Sequence, residues 1–171
     1  ARRAAEKLDA KPVLLTSQSD VYGDTTQKAM EEEILQLRPD IKVLGNEKFQ
    51  FQETNFRNLL EKARSLNPDV IVVTNASQAS GMAAMLQQAD EISLPNKIVV
   101  MQGGLTDITV KAAGPSADGA YSAGFYFADK LPYSDVALNK EFVAAYQKEF
   151  GVMPDAMAAS GYIAVQVWAE A

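Results

Sequence analysis

The four residues Val70-Ile71-Val72-Val73 place the strongest constraint on the fold of this chain. All four are β-branched or aliphatic, and no polar residue alternates with them. A strand that is apolar at every position has both faces covered, which is typical of a central strand in a parallel sheet. We therefore expect a sheet with helices packed on both of its faces.

Segments with strand and helix character alternate along the chain. The other predicted strands are Val13–Thr16, Ile41–Leu44, Ile98–Met101 and Gly119–Phe127. A helix is predicted over Asp24–Leu37, and another by the spacing of Phe56, Leu59, Leu60, Ala63 and Leu66. Short loops between such elements indicate parallel strands with right-handed crossovers. The predicted fold is therefore α/β, a three-layer open parallel sheet with the flavodoxin-like strand order 2-1-3-4-5.

The composition excludes several kinds of chemistry. The 171 residues include no histidine and no cysteine, which rules out Ser-His-Asp and Cys-His catalysis, histidine-ligated zinc and disulfides. The net charge of −6 argues against a nucleic-acid partner, since such proteins concentrate Lys and Arg on one face. We predict no catalytic residue, no metal and no cofactor.

A receiver-like signalling domain or a small enzyme on the flavodoxin-like framework is an alternative. A receiver needs a phosphoacceptor aspartate at the end of the third strand, where this chain has Thr74-Asn75. An enzyme would need a base other than histidine, and the carboxylates of the loops are scattered along the sequence. Both alternatives are therefore disfavoured.

Several short motifs occur together in one order. They are Asp20-Val-Tyr-Gly23, Thr54-Asn-Phe56, Asn67-Pro-Asp-Val-Ile-Val-Val73, Asp118-Gly-Ala-Tyr121, Phe142–Gly151 and Gly161-Tyr-Ile-Ala-Val165. In this order and spacing, the sequence resembles the branched-chain amino-acid type of periplasmic substrate-binding protein that serves ABC transporters. Members of this family have two α/β lobes that close on a ligand. The resemblance covers only about the later half of such a protein.

The resemblance implies a division of the chain into two parts. Residues 1–124 correspond to the second ligand-binding lobe of the type I periplasmic binding fold. Residues 125–171 correspond to a return segment whose helices pack on the first lobe, which is expected to lie outside this chain. The last predicted helix, Asp155–Ala171, is apolar almost all round, which favours a covering partner. That partner is expected to be the missing first lobe or a second copy in a homo-oligomer.

The family comparison also implies where the ligand lies, namely on the loops after the first, third and fourth strands. The candidate residues are Ser19, Tyr22, Asn75, Ala76, Ser77 and Gln102. Asn and Ser in such loops also serve as turn and capping residues, which is the competing interpretation. Amino-acid binders of the family carry a carboxylate for the ligand's ammonium group where this chain has Gln102. A neutral amide supplies no compensating charge, so a carboxylate or amide without an ammonium group is an alternative ligand.

The resemblance implies a solute-binding component of an ABC importer, located in the periplasm or otherwise outside the cytoplasm. Its expected partners are a small solute, either an amino acid or an organic carboxylate, and the membrane subunits of the transporter. The first residues lack the apolar core of a signal peptide, so the location rests on the resemblance. The ligand-sensing half of a receptor or transcriptional regulator shares the fold and stays open as an alternative.

Overall fold

The computed structural model describes residues 10–75, 80–94, 97–100 and 104–170. The strands are β1 (Pro12–Gln18), β2 (Lys42–Phe49), β3 (Val70–Thr74), β4 (Lys97–Val100) and β5 (Tyr121–Ser122). The α-helices in these ranges are α1 (Val21–Leu37), α2 (Arg57–Leu66), α3 (Ser80–Glu91), α4 (Asp107–Ala113), α5 (Ala137–Phe150) and α6 (Ala156–Glu170). Two short 3-10 turns lie at Gly114–Ala117 and Tyr133–Asp135. The helical spacing of the first nine residues lies outside the described residues.

The five strands form one parallel sheet in the order β2-β1-β3-β4-β5, which confirms the predicted order. Strand β3 lies in the middle, and its residues Val70–Thr74 are all buried. Strand β2 lies at one edge and is largely half-exposed, as its mixture of apolar and charged residues requires. The extended apolar run therefore identified the centre of the sheet correctly.

Alternate residues of the strands face two separate hydrophobic cores. On one face, Leu14 and Ile71 pack with Leu60 of α2 and Met85 of α3. On the other face, Val13, Leu15 and Val72 pack with Met30 and Ile34 of α1. Since each core joins one face of the sheet to its own helices, the architecture is the expected three-layer α/β fold.

The chain divides into two compact units, Ala1–Ala123 and Gly124–Ala171. The sheet belongs to the first unit. In the second unit, α5 and α6 are joined by a ring stack between Phe142 and Tyr162, whose centroids are 4.6 Å apart. Gly151 ends α5 in the left-handed conformation, with a φ of 70°, as glycine commonly does at the end of a helix.

Several predicted boundaries were wrong. Helix α1 begins at Val21 rather than Asp24, because the Asp20 side chain caps it three residues earlier than expected. Strand β5 contains only Tyr121 and Ser122 rather than Gly119–Phe127, because it pairs with just Val99 and Val100 of β4. Strand β2 runs from Lys42 to Phe49 rather than from Ile41 to Leu44, because it pairs with β1 as far as Gln18.

Candidate ligand-binding site

The carboxyl ends of the central strands meet at one edge of the sheet, which we call the carboxyl edge. Ser17 near the end of β1 pairs with Thr74 at the end of β3, and Gln18 pairs with Phe49 at the end of β2. After β1 the chain adds β2 on one side of β1, and after β3 it adds β4 and β5 on the opposite side of the sheet. The strand order therefore reverses between β1 and β3, and ligands of open α/β sheets bind outside the strand ends at such a point.

Tyr22 lies in the first turn of α1, directly beyond the end of β1. Tyr22 is 41% exposed, and the preceding Val21 is 82% exposed. Ser19 is also exposed, and its backbone N–H donates to the carbonyl of Phe49 over 2.7 Å. The sequence analysis placed Tyr22 and Gly23 in a loop, whereas the structure gives both to the helix.

The first turn of α1 is fastened to the end of β1 through Asp20. One carboxylate oxygen, Oδ1, accepts from the backbone N–H of Gly23 over 2.7 Å, and the other, Oδ2, accepts from the side-chain amide of Gln18. Gly23 is buried against the strand, and a Cβ atom at that position would lie 1.9 Å from the carbonyl oxygen of Gln18. Only glycine fits this close approach. Because both of its carboxylate oxygens accept hydrogen bonds, Asp20 caps the helix and does not project as a free ligand group.

A polar network lies beside this turn, among β1, β2 and α1. The ammonium group of Lys48 donates to Ser17 Oγ (2.8 Å), Asp24 Oδ1 (2.6 Å) and Gln27 Oε1 (2.8 Å). Ser17 Oγ donates to Gln27 Oε1 over 2.8 Å. The sequence analysis missed Lys48 and Gln27. Gln27 could have been found from the sequence, because it is the polar member of a helix face otherwise formed by Gly23, Met30 and Ile34.

Asn75 follows β3 and is 4% exposed. A Cβ atom on Gly81, in the first turn of α3, would lie 3.2 Å from Asn75 Nδ2 and 2.9 Å from the carbonyl oxygen of Glu53. Asn75 therefore packs beneath the edge against the start of α3. Asn75 is thus less accessible than Ser19 and Tyr22, which are open to solvent.

The remaining candidate residues, Ala76, Ser77 and Gln102, lie outside the described residues. Val100, the last residue of β4, pairs with Val73 of β3. The described ends of β3 and β4 are therefore neighbours at this edge.

The side chain of Gln88 in α3 holds the loop after β2. Gln88 Oε1 accepts from the backbone N–H of Phe56 (2.7 Å), and Gln88 Nε2 donates to the carbonyl of Thr54 (2.7 Å). Phe51 of this loop is 55% exposed. The carboxyl edge therefore presents exposed apolar side chains from the segments after β1 and after β2. Hydrogen bonds of Asp20 hold the first segment, and hydrogen bonds of Gln88 hold the second.

The described ranges offer neither a metal site nor a membrane span. No group of three or more acidic side chains gathers in them as metal ligands would. Likewise, none of their helices combines the length and the apolar character needed to cross a bilayer.

Comparison with solved structures gives several close matches of fold. A leucine-binding protein from Thermotoga maritima matches with a TM-score of 0.83 and 22% identity, over 96% of this chain and 45% of its own. An ABC-transporter solute-binding protein from R. palustris, solved with benzoate, matches with a TM-score of 0.83 and 23% identity. The match covers 95% of this chain and 43% of that protein's chain. A branched-chain amino acid transporter substrate-binding protein from Streptococcus pneumoniae, solved with isoleucine, matches with a TM-score of 0.81 and 24% identity. The match covers 99% of this chain and 47% of that protein's chain. This chain thus spans less than half the length of each.

A family model described as periplasmic binding protein matches residues 1–171. The chain therefore belongs to the periplasmic binding protein family, and its sheet has the fold of one lobe of these proteins. A search among curated proteins finds no match to the sequence.

Proposed function

We propose that this chain supplies one lobe of the solute-binding component of an ABC importer, and that this component binds a small amino acid or organic carboxylate between two lobes. In this proposal residues 1–124 are the second lobe, and residues 125–171 are the return segment. The family match over residues 1–171 is the observation that carries the proposal. The reversal of strand order between β1 and β3 supports it, since it marks the edge where a ligand would bind.

The proposed contacts with the solute come from the segments after β1, β3 and β4. They are Ser19, Tyr22, Asn75, Ala76, Ser77 and Gln102. The exposure of Ser19 and Tyr22 at the carboxyl edge supports direct contact by these two residues. Asn75 is 4% exposed, so its proposed contact would be made through this small exposed part.

The residue at position 102 bears on the class of solute. Gln102 is neutral, so the proposed site lacks a full negative charge there for an ammonium group. One relative of the same fold was solved with isoleucine and another with benzoate, so the fold accommodates solutes with and without an ammonium group. An organic carboxylate without an ammonium group is therefore the preferred solute.

The proposed setting follows from the family. The protein would act in the periplasm or otherwise outside the cytoplasm, pass its solute to the membrane subunits of the transporter, and catalyse no reaction. Helix α6 exposes Ile163, Val165, Val167 and Trp168, which suits a helix covered by further protein. We assign that cover to the other lobe or to a second copy of the chain.

Calorimetry with benzoate and leucine tests the proposal. One lobe offers half a pocket, so this chain alone should bind either solute weakly or undetectably, and micromolar affinity would contradict the two-lobe account. If both are detected by saturation-transfer NMR, Gln102→Glu should shift the preference from benzoate toward leucine, because it adds the missing charge.

Gln36→Glu is the matched control, because it makes the same charge change on an exposed residue of α1. An equal shift in both variants would mean that overall charge, rather than position 102, sets the preference. No shift in the Gln102→Glu variant would remove Gln102 from the proposed site.

A further inference from the structure

We propose that Lys48 is a positioning residue: its ammonium group holds the first turn of α1 against the end of β1 and thereby fixes the ring of Tyr22. The assignment of Tyr22 to a solute rests on the function proposed above. The positioning itself rests on contacts within the first unit.

The ammonium group of Lys48 joins three elements. Lys48 belongs to β2, Ser17 to β1, and Asp24 and Gln27 to α1. A lysine ammonium has three N–H donors, and here each finds an acceptor within 2.8 Å. Because all three directions are used, the network defines the position of the helix more closely than a single ion pair would.

Gln27 makes the folded protein less stable than an apolar residue at the same position would. Ser17 is 0% exposed and Gln27 is 1% exposed. Gln27 Nε2 is buried and has no hydrogen-bond partner in the part of the chain that the structure describes. A buried donor without a partner is destabilising, whereas an apolar side chain beside Met30 would not be. The network is therefore better explained by orientation of α1 than by stability.

Tyr22 lies between two anchors of the same helical turn. On one side, Asp20 accepts from the Gly23 N–H over 2.7 Å, and on the other, Asp24 accepts from Lys48 over 2.6 Å. Since Tyr22 shares the backbone of this turn, loss of the Lys48 anchor must loosen the turn that carries its ring. Lys48 would not touch the solute and would act through Asp24, Gln27 and Ser17.

The test uses Lys48→Met, which keeps an apolar stem and removes the ammonium group. Two readouts report on the turn: the ¹⁹F NMR signal of Tyr22 in protein that carries 3-fluorotyrosine, and hydrogen exchange of the Gly23 amide. The Tyr22 signal is identified by its loss in Tyr22→Phe. We expect that signal to shift or broaden, and exchange at Gly23 to become about tenfold faster, as the loss of one or two hydrogen bonds would cause.

Lys62→Met is the matched control. Lys62 pairs with Glu47, the neighbour of Lys48 on β2, over 2.7 Å from α2 rather than α1. It should leave both readouts unchanged. If Lys48→Met does not fold, Asp24→Asn serves instead, because Asp24 is 68% exposed and its loss leaves the other two acceptors in place. It should change both readouts in the same direction but less.

Two results would overturn the proposal. One is a Tyr22 signal and Gly23 exchange that match the wild type in Lys48→Met, or in Asp24→Asn if that variant is used. The other is equally faster exchange at Gly23 and at Leu60 in the core, which would mean general destabilisation. All measurements are made without solute, so failure here is distinct from failure of the proposed solute-binding function.

Discussion

Substitution of Gly23 by alanine tests how closely α1 approaches the end of β1. An alanine Cβ would lie 1.9 Å from the carbonyl oxygen of Gln18, whereas ordinary contact begins at 3.4 Å. Helix and strand must therefore separate by the difference, about 1.5 Å. The same Cβ would also lie 3.2 Å from Ser17 Oγ, so the displacement reaches the polar network of Lys48.

The expected cost follows from three effects. Overpacking of this kind costs about 1–3 kcal/mol. Loss of the cap between Asp20 and the Gly23 N–H costs about 1 kcal/mol. The higher helix propensity of alanine stabilises the helix by about 1 kcal/mol. The free energy of unfolding of the first unit is thus lowered by about 2 kcal/mol, which lowers its melting temperature by roughly 5–8 °C.

Thermal unfolding followed by circular dichroism measures this loss. Gly161→Ala is the matched control, since nothing lies within 4 Å of a Cβ there and the residue is in the exposed part of α6. We expect it to stabilise its own unit by up to about 1 kcal/mol. If Gly23→Ala were as stable as the wild type, the close approach of α1 to β1, and the site built on it, would be refuted.

Three further predictions concern the core, one carboxyl group and the exposed helix. Leu60→Ala should cost about 2–5 kcal/mol in urea unfolding because Leu60 is fully buried, whereas Leu66→Ala should cost less than about 1 kcal/mol; equal losses would contradict the assigned core. Hydrogen bonds from Arg38 lower the pKa of Asp40 to about 2, so the stability from this pair is present above the ordinary pKa of 3.8 and is lost as the pH falls toward 2. An NMR titration of Arg38→Gln should return the pKa of Asp40 toward 3.8, and an unchanged value would show that Arg38 is not the cause. The exposed face of α6 should make the chain self-associate in sedimentation at tens of micromolar, Trp168→Glu should weaken this, and a strictly monomeric wild type would count against it.

The central sheet was predictable from the sequence because its signals are local and strong. The run Val70–Val73 has no polar member, and it forms the buried middle strand. Met82 and Met85, three residues apart in α3, are both fully buried. In these segments the apolar pattern and the packing agree, so the sequence alone identifies the layers.

The start of α1 was predicted too late because a side-chain cap, and not helix propensity, sets it. Tyr22 and Gly23 have weak helix propensity, and the helix includes them because the Asp20 carboxylate accepts from the Gly23 N–H. The end of β5 was missed because aromatic residues suggested a strand. Tyr126 instead donates to Asn139 Oδ1 over 2.6 Å, within the second unit.

The candidate site was predictable only in part. The sequence indicated which segments follow β1, β3 and β4, since parallel strands open on one edge. It did not reveal that Asn75 is buried, nor that Lys48 reaches Ser17 from a strand 31 residues further on. Such contacts depend on the register of β1 and β2, which the apolar pattern does not fix.

An NMR titration of the isotope-labelled chain with millimolar benzoate and leucine tests the central claim most directly, because it maps even weak binding by residue. We predict that amide shifts change at the carboxyl edge, around Ser19–Gly23 and in the segments that follow β3 and β4. Changes confined to the opposite edge, around Lys11 and Asp69, would contradict the account.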